Sequence, residues 1–407
     1  MHNLLIIGYI WPEPNRTAAG YRMLQLIDLF IDQGYQITFC SAAKIKSTSR
    51  IPLESRGVKM IPVQLNSDLF DDLLNQQQPE VVLYDRFLIE EQFGWRVRKV
   101  LPNAIQIIDT EDLHFLRTAR KNHIENGISL EEGFQSELAV REISSVQRVD
   151  MNLIISSFEM ELLIDQFQIL PKKLFYLPFL IKKEEIESLK SNVVPFEKRS
   201  DFCTIGNLKH APNLDAVRQL HRYVWPEIRS TFPDSQLFIY GSNAPKEILE
   251  LHSPENGFHI KGHAKRVEEV LSKHRVLLAP LRYGAGLKGK LYDAMKYGIP
   301  SVMTSIGAEG MFSSRLVSGV VCDEVQQVAS TAYQLYADLD SWNSYQEQGF
   351  KILQDEFEES AFAKAFFLQL QITKEEARMN QSFNERMLTY HANAHFKYMS
   401  HWINAKK

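Results

Sequence analysis

Short apolar runs alternate with amphipathic helical patterns twice along the 407-residue chain, and a stretch showing neither separates the two series. The first series opens with residues 3–9, a continuous apolar run of the kind that forms a strand buried on both faces. A helical pattern over residues 23–31 follows, and 36–40 reads as the next strand. Further runs at 58–63, 81–84, 104–108, 152–155 and 174–177 extend the alternation. From Pro178 to Ser200 the chain is rich in Lys and Glu and only weakly periodic. The pattern then restarts at 202–206 and continues at 236–240, 258–261, 275–279 and 301–304. Such alternation predicts an α/β protein with two doubly wound, Rossmann-like parallel sheets. Residues 1–180 form the first domain, 181–200 the linker and 201–357 the second domain, while 358–407 are helices packing back toward the first. Thr373 with Glu376 fits a capping box, so a last helix is expected to start there. Two facing sheets set a cleft between their carboxyl ends, where ligands of open α/β sheets bind.

Composition narrows the partners. Apolar residues make up 44% and charged residues 24% of the chain, the balance of a globular protein, and the net charge of −4 argues against a nucleic-acid-binding surface. Cys40, Cys203 and Cys322 lie far apart, without metal or redox spacing, which points to a reducing, cytoplasmic compartment. The apolar opening reads as a strand rather than a signal peptide, and no run approaches the ~20 apolar residues of a membrane span. The basic stretches at 96–99 and 117–121 read as solvated faces; the alternatives are that they steer an anionic acceptor or touch acidic headgroups, which keeps peripheral contact with the inner face of a membrane open.

Three segments carry chemistry. Residues 279–300 read APLRYGAGLKGKLYDAMKYGIP and place a glycine turn between a strand and a helix. The free N–H groups and dipole of such a helix attract an anion. Gly284 and Gly286 let the backbone approach a ligand, while Arg282, Lys288 and Lys290 add charge suited to a diphosphate. Asp293, one turn further on, suits ribose hydroxyls. Residues 108–117, IDTEDLHFLR, crowd five ionisable groups into one loop after a strand, and His114 there is a functional candidate. Residues 15–22, NRTAAGYR, form a second helix start with Gly20 and two arginines, Arg16 and Arg22, facing the cleft. Neither a P-loop nor a GxGxxG after the first strand is present, which disfavours an NTPase or dinucleotide enzyme.

Residues 202–311 resemble the carboxyl-terminal domain of GT-B glycosyltransferases of the retaining family 4. The likeness rests on Ile205-Gly206, Pro212-Asn213, Pro226, Pro233-Asp234, Tyr240-Gly241, Lys261-Gly262, the 279–300 segment and the TSIGAEG run at 304–310. It implies a nucleoside-diphosphate sugar as donor and a hydroxyl of a glycan, lipid-linked or protein acceptor, with hexosyl- or N-acetylhexosaminyl-type transfer. No cofactor and no metal are implied. Arg282, Lys288 and Lys290 are expected at the diphosphate, with Gly20, Arg22, Lys209 and Gly286 also donor-binding and Asp293 at the ribose. Asp112 and His114 are expected near the donor sugar and acceptor. One position departs from the family: its first loop carboxylate is replaced by Ala285, and Glu309 is the nearest substitute. Glu142, Asp150 and residues 156–159 match the family's framework. That departure keeps a rival in view, a non-catalytic GT-B-like partner that binds an acceptor or a sister enzyme. A third option is a nucleotide-sugar epimerase. His391 and His395, spaced i, i+4, read as a solvated helix face rather than a metal pair.

Overall fold

A computed structural model describes residues 2–312 and 316–377, together with 383, 386–390, 398–399 and 402–403. The first sheet holds seven parallel strands in the order β3-β2-β1-β4-β5-β6-β7. They are β1 His2–Gly8, β2 Tyr35–Ser41, β3 Lys59–Pro62, β4 Val81–Asp85, β5 Ile105–Asp109, β6 Met151–Ile154 and β7 Leu174–Tyr176. The second sheet holds six, in the order β10-β9-β8-β11-β12-β13. They are β8 Ser200–Ile205, β9 Leu237–Tyr240, β10 Phe258–Gly262, β11 His274–Ala279, β12 Ser301–Met303 and β13 Gly319–Val321.

Side-chain alternation explains why β1 is apolar throughout. Leu4 and Ile6 enter one core with Ile27 and Phe30 of helix Ala18–Asp32, whereas Leu5 and Ile7 enter the core on the other face with Phe70 and Phe93. A strand covered on both sides has no polar face to show. Cys40 and Cys203 are buried and all three cysteines are free. Among the described residues, no helix is long and apolar enough to cross a membrane.

Twelve strands lie within two residues of their expected bounds; β13, three residues at a sheet edge, was not anticipated. Within the 181–200 linker, residues Lys183–Ser191 form a helix with Glu184 and Glu185 in its favourable first turn. One helical expectation is corrected: Thr373 does not start a helix. It sits buried within helix Glu359–Ala377, whose Phe366 and Leu370 are inserted into the core of the first sheet. Tertiary burial of that stripe overrides the local capping signal. His391 and His395 lie outside the described residues.

Candidate active site

The carboxyl ends of both sheets open on one cleft. One wall is the turn after β11 and the head of helix Gly289–Lys296, with Lys288 at the N-cap. Lys290 and Asp293 lie one helical turn apart and both line the cleft. Among the described residues, neither side chain makes a hydrogen bond or ion pair. Burial lowers the Lys290 ammonium to about 8 and raises the Asp293 carboxyl to about 6, the latter opposed by Lys296. Lys288 is buried and turns its ammonium back onto the Gly286 carbonyl at 2.6 Å. Its pKa also falls to about 8 through burial, although Glu309 and Glu159 pull the other way.

The opposite wall is the loop after β5 and the head of helix His114–Asn126. Two buried carboxylates hold that helix start. Glu142 accepts the N–H groups of His114 at 3.1 Å and Phe115 at 2.8 Å. Glu159 Oε1 accepts Leu113 N–H at 3.0 Å and, from across the cleft, Gly286 N–H at 2.8 Å. Gly286 has φ +62°, and a Cβ there would stand 2.8 Å from that of Asp112. Only glycine permits both the left-handed turn and this approach. Asp112 is paired with Arg117, and His114 Nε2 lies 3.5 Å from its Oδ1. Burial pushes the Asp112 carboxyl up, but Arg117 and His114 together hold it well below the usual carboxylate range. Burial lowers His114 to about 4, against the pull of Asp112, so the imidazole is neutral at physiological pH.

A family model described as glycosyl transferases group 1 matches residues 199–338, the part of the chain that carries the second sheet and the glycine turn. Solved glycosyltransferase structures share the whole two-sheet fold. TarM of S. aureus, solved as a variant with Fondaparinux, alpha-GlcNAc-glycerol and UDP, superposes with a TM-score of 0.69 at 8% identity, over 92% of this chain and 100% of that one. Anabaena HepE, in complex with UDP and glucose, gives 0.68 at 11% identity over 91% and 100%. The pneumococcal O-GlcNAc transferase GtfA, with UDP and GlcNAc, gives 0.60 at 13% over 93% and 99%. The chain has the GT-B fold, and its residues 199–338 match the glycosyl transferases group 1 model. No curated protein matches it by sequence.

In this GT-B fold the cleft brings together Asp112, His114, Lys288, Lys290 and Asp293 of the residues expected at the site. Gly286 contributes its backbone to the turn rather than to the lining. The others are placed differently. Arg22, expected to face the cleft, is 1% exposed: its Nε donates to Asp109 at 2.9 Å and its Nη1 to the Leu177 and Pro178 carbonyls. It ties the helix to β5 because a buried guanidinium must fill its donors. Gly20 packs on the backbone of Glu13, where a Cβ would stand 2.7 Å away. Arg282, expected at the diphosphate, lays its fork on Asp215, with Nε at 2.8 Å from Oδ2. Glu309 is held by Arg120, and Lys209 is exposed and outside the lining. Two further lining residues, Arg86 and Glu111, stand at the ends of β4 and β5 with φ of +76° and +62°, and neither is among the expected site residues although Glu111 belongs to the 108–117 loop. Their loop positions after strands were the available signal; their left-handed backbones were not. Among the described residues, no three His, Cys, Asp or Glu side chains converge as a metal site.

Proposed function

We propose that this glycosyltransferase retains anomeric configuration and moves a sugar from a UDP-sugar to a hydroxyl of a glycan, lipid-linked or protein acceptor. One observation carries the reading: Lys290 and Asp293 face the same cleft at a helix head, opposite in charge, and among the described residues neither makes a hydrogen bond or ion pair. An ammonium beside free N–H groups suits a diphosphate, and a carboxylate one turn on suits ribose hydroxyls. UDP as the nucleotide is supported by its presence with TarM, HepE and GtfA.

In the transfer, the bond between the sugar's anomeric carbon and the diphosphate oxygen breaks as the acceptor oxygen bonds to that carbon. The acceptor's proton passes to the departing diphosphate. Negative charge grows on the phosphate while the sugar becomes oxocarbenium-like. Lys290 and the helix N-terminus are fixed positive groups aimed at that charge, with the Lys288 ammonium close by on the Gly286 carbonyl, so the reaction needs no divalent ion. His114, neutral and beside Asp112, offers a hydrogen bond to the sugar or acceptor.

Titration with UDP, followed by transfer assays in EDTA with NMR of the product, tests the reading. Micromolar-to-millimolar UDP binding and a product with the donor's anomeric configuration support it. An inverted product, strict dependence on a divalent cation, or no UDP binding overturns it.

A further inference from the structure

We propose that Glu111 is the specificity-determining carboxyl of the cleft and that it reads a hydroxyl of the transferred sugar. The inference rests on the UDP-sugar reading above and assigns a residue that reading leaves out. Glu111 lines the cleft after β5, and its backbone abuts the glycine turn: its main-chain carbonyl oxygen would lie 3.0 Å from a Cβ on Gly286. The turn residue beside Gly286 is Ala285, which brings only a methyl group to this side of the cleft. A sugar attached to a diphosphate at Lys290 therefore finds a carboxyl on the Glu111 side and none on the turn.

The other carboxyls lining the cleft are already engaged or differently assigned. Asp112 is held by Arg117, Glu268 pairs with Arg266 at 3.0 Å, and Asp293 is the ribose candidate. Among the described residues, Glu111 Oε1 is buried without a hydrogen-bond partner. Buried polar atoms are almost always satisfied, and exceptions concentrate where a ligand supplies the missing bond. The backbone adds a second, independent mark: φ of +62° is ordinary for glycine and strained for glutamate. Packing alone would be served better by glycine here, so the side chain has a use. Burial, with Asp109 and Asp85 nearby, drives the carboxyl well above its ordinary pKa against the opposing Arg86. A neutral carboxyl has one O–H to donate and a carbonyl to accept, the complement of a sugar hydroxyl.

A site built to hydrogen-bond a hydroxyl rejects sugars that lack or invert it, because its own group is then left unpaired. The test compares the wild type with Glu111→Gln and Glu111→Gly across UDP-glucose, UDP-galactose, UDP-GlcNAc and their deoxy analogues. Both variants are expected to bind UDP within twofold of the wild type. Glu111→Gly is expected to lose at least tenfold in kcat/KM for the preferred sugar and most of the discrimination against its epimer or deoxy analogue, with Glu111→Gln intermediate. Its melting temperature should match or exceed the wild type's, since glycine fits the backbone, so the loss is not unfolding. Unchanged discrimination in Glu111→Gly, with UDP still bound, overturns this inference and leaves the donor reading standing. If the wild type does not bind UDP, or Lys290→Ala binds it equally well, the donor reading falls and takes this inference with it.

Discussion

Arg120 grips Glu309 through both terminal nitrogens, each 2.7 Å from a carboxylate oxygen, and Nη1 also donates to the Gly284 carbonyl at 2.9 Å. The pair fastens helix His114–Asn126 of the first domain to the loop after β12 and the glycine turn of the second. A carboxylate committed at two points to a guanidinium is not available to a sugar, so Glu309 acts by setting the distance between the walls. Both side chains are nearly buried, at 10% and 15% exposure, and removing one partner strands the other's charge. Glu309→Ala is expected to cost about 3 kcal/mol. The Arg120→Ala/Glu309→Ala double variant is expected to cost less than the two singles together, a coupling that denaturant melts of all four proteins would measure.

Lys290 is the helix-head cation that the proposed donor reading assigns to the diphosphate. A hydrogen bond to a charged group contributes about 1.5–3 kcal/mol, so Lys290→Ala should weaken UDP binding by about 10- to 100-fold in calorimetric titration. Arg282→Ala should weaken it far less, because Asp215 already occupies the guanidinium. The free Lys290 ammonium titrates at about 8, lowered by burial, and only the cation attracts phosphate. UDP affinity is therefore expected to hold below pH 7 and to decline as pH rises through 8, with the decline largely absent in Lys290→Ala.

Glu159 gives the fold a pH dependence of a definite sign. Burial, then the charge of Asp112, raises its carboxyl from 4.5 to about 7, against the pull of its two backbone donors and Lys288. The folded state thus binds a proton that the unfolded chain has released between those values. Its contribution is fully present below pH 4.5 and is lost as pH rises through 7. Glu142, raised by burial to about 8, acts in the same direction slightly higher. Glu159→Gln retains an oxygen to accept from Leu113 and Gly286 and places an amide where Glu159 Oε2 has no partner. The variant is expected to show a shallower fall in melting temperature between pH 5 and 8 than the wild type. An identical slope in both would show that Glu159 does not titrate in this range.

The fold was legible because burial on both faces writes itself into sequence as unbroken apolar runs, as at residues 4–7. The helix over Lys183–Ser191 was obscured by its own surface: only Ile186 is buried, too little to make a period. At the site, residue type marked the chemistry but not its direction. Arg22, Arg282 and Lys290 each stand near a strand end, and only the three-dimensional positions of Asp109 and Asp215 reveal that two of these cations are neutralised. Glu142 and Glu159 were read as framework, and they are the groups that hold the His114 loop. What no one-dimensional pattern carried was the reach of Glu159 to Gly286, 127 positions away.

The helix Glu359–Ala377 should matter to the first domain alone. Phe366 is fully buried, its ring 5.5 Å from both Phe30 and Phe175, and it closes the core beneath β1, β2 and β7. Replacing a buried phenylalanine by alanine removes its transfer free energy and leaves a cavity, about 3–5 kcal/mol in total. Phe366→Ala is expected to lower the melting transition by that amount, while Leu368→Ala, at a position 59% exposed on the same helix, should stay within about 0.5 kcal/mol. Lys290 and Asp293 are carried by the other sheet's elements, so UDP affinity measured well below the transition should be the same in both variants and the wild type. A fall in UDP affinity for Phe366→Ala at a temperature where it is folded would mean that the first core also sets the donor turn, through Gly286 and Asp112.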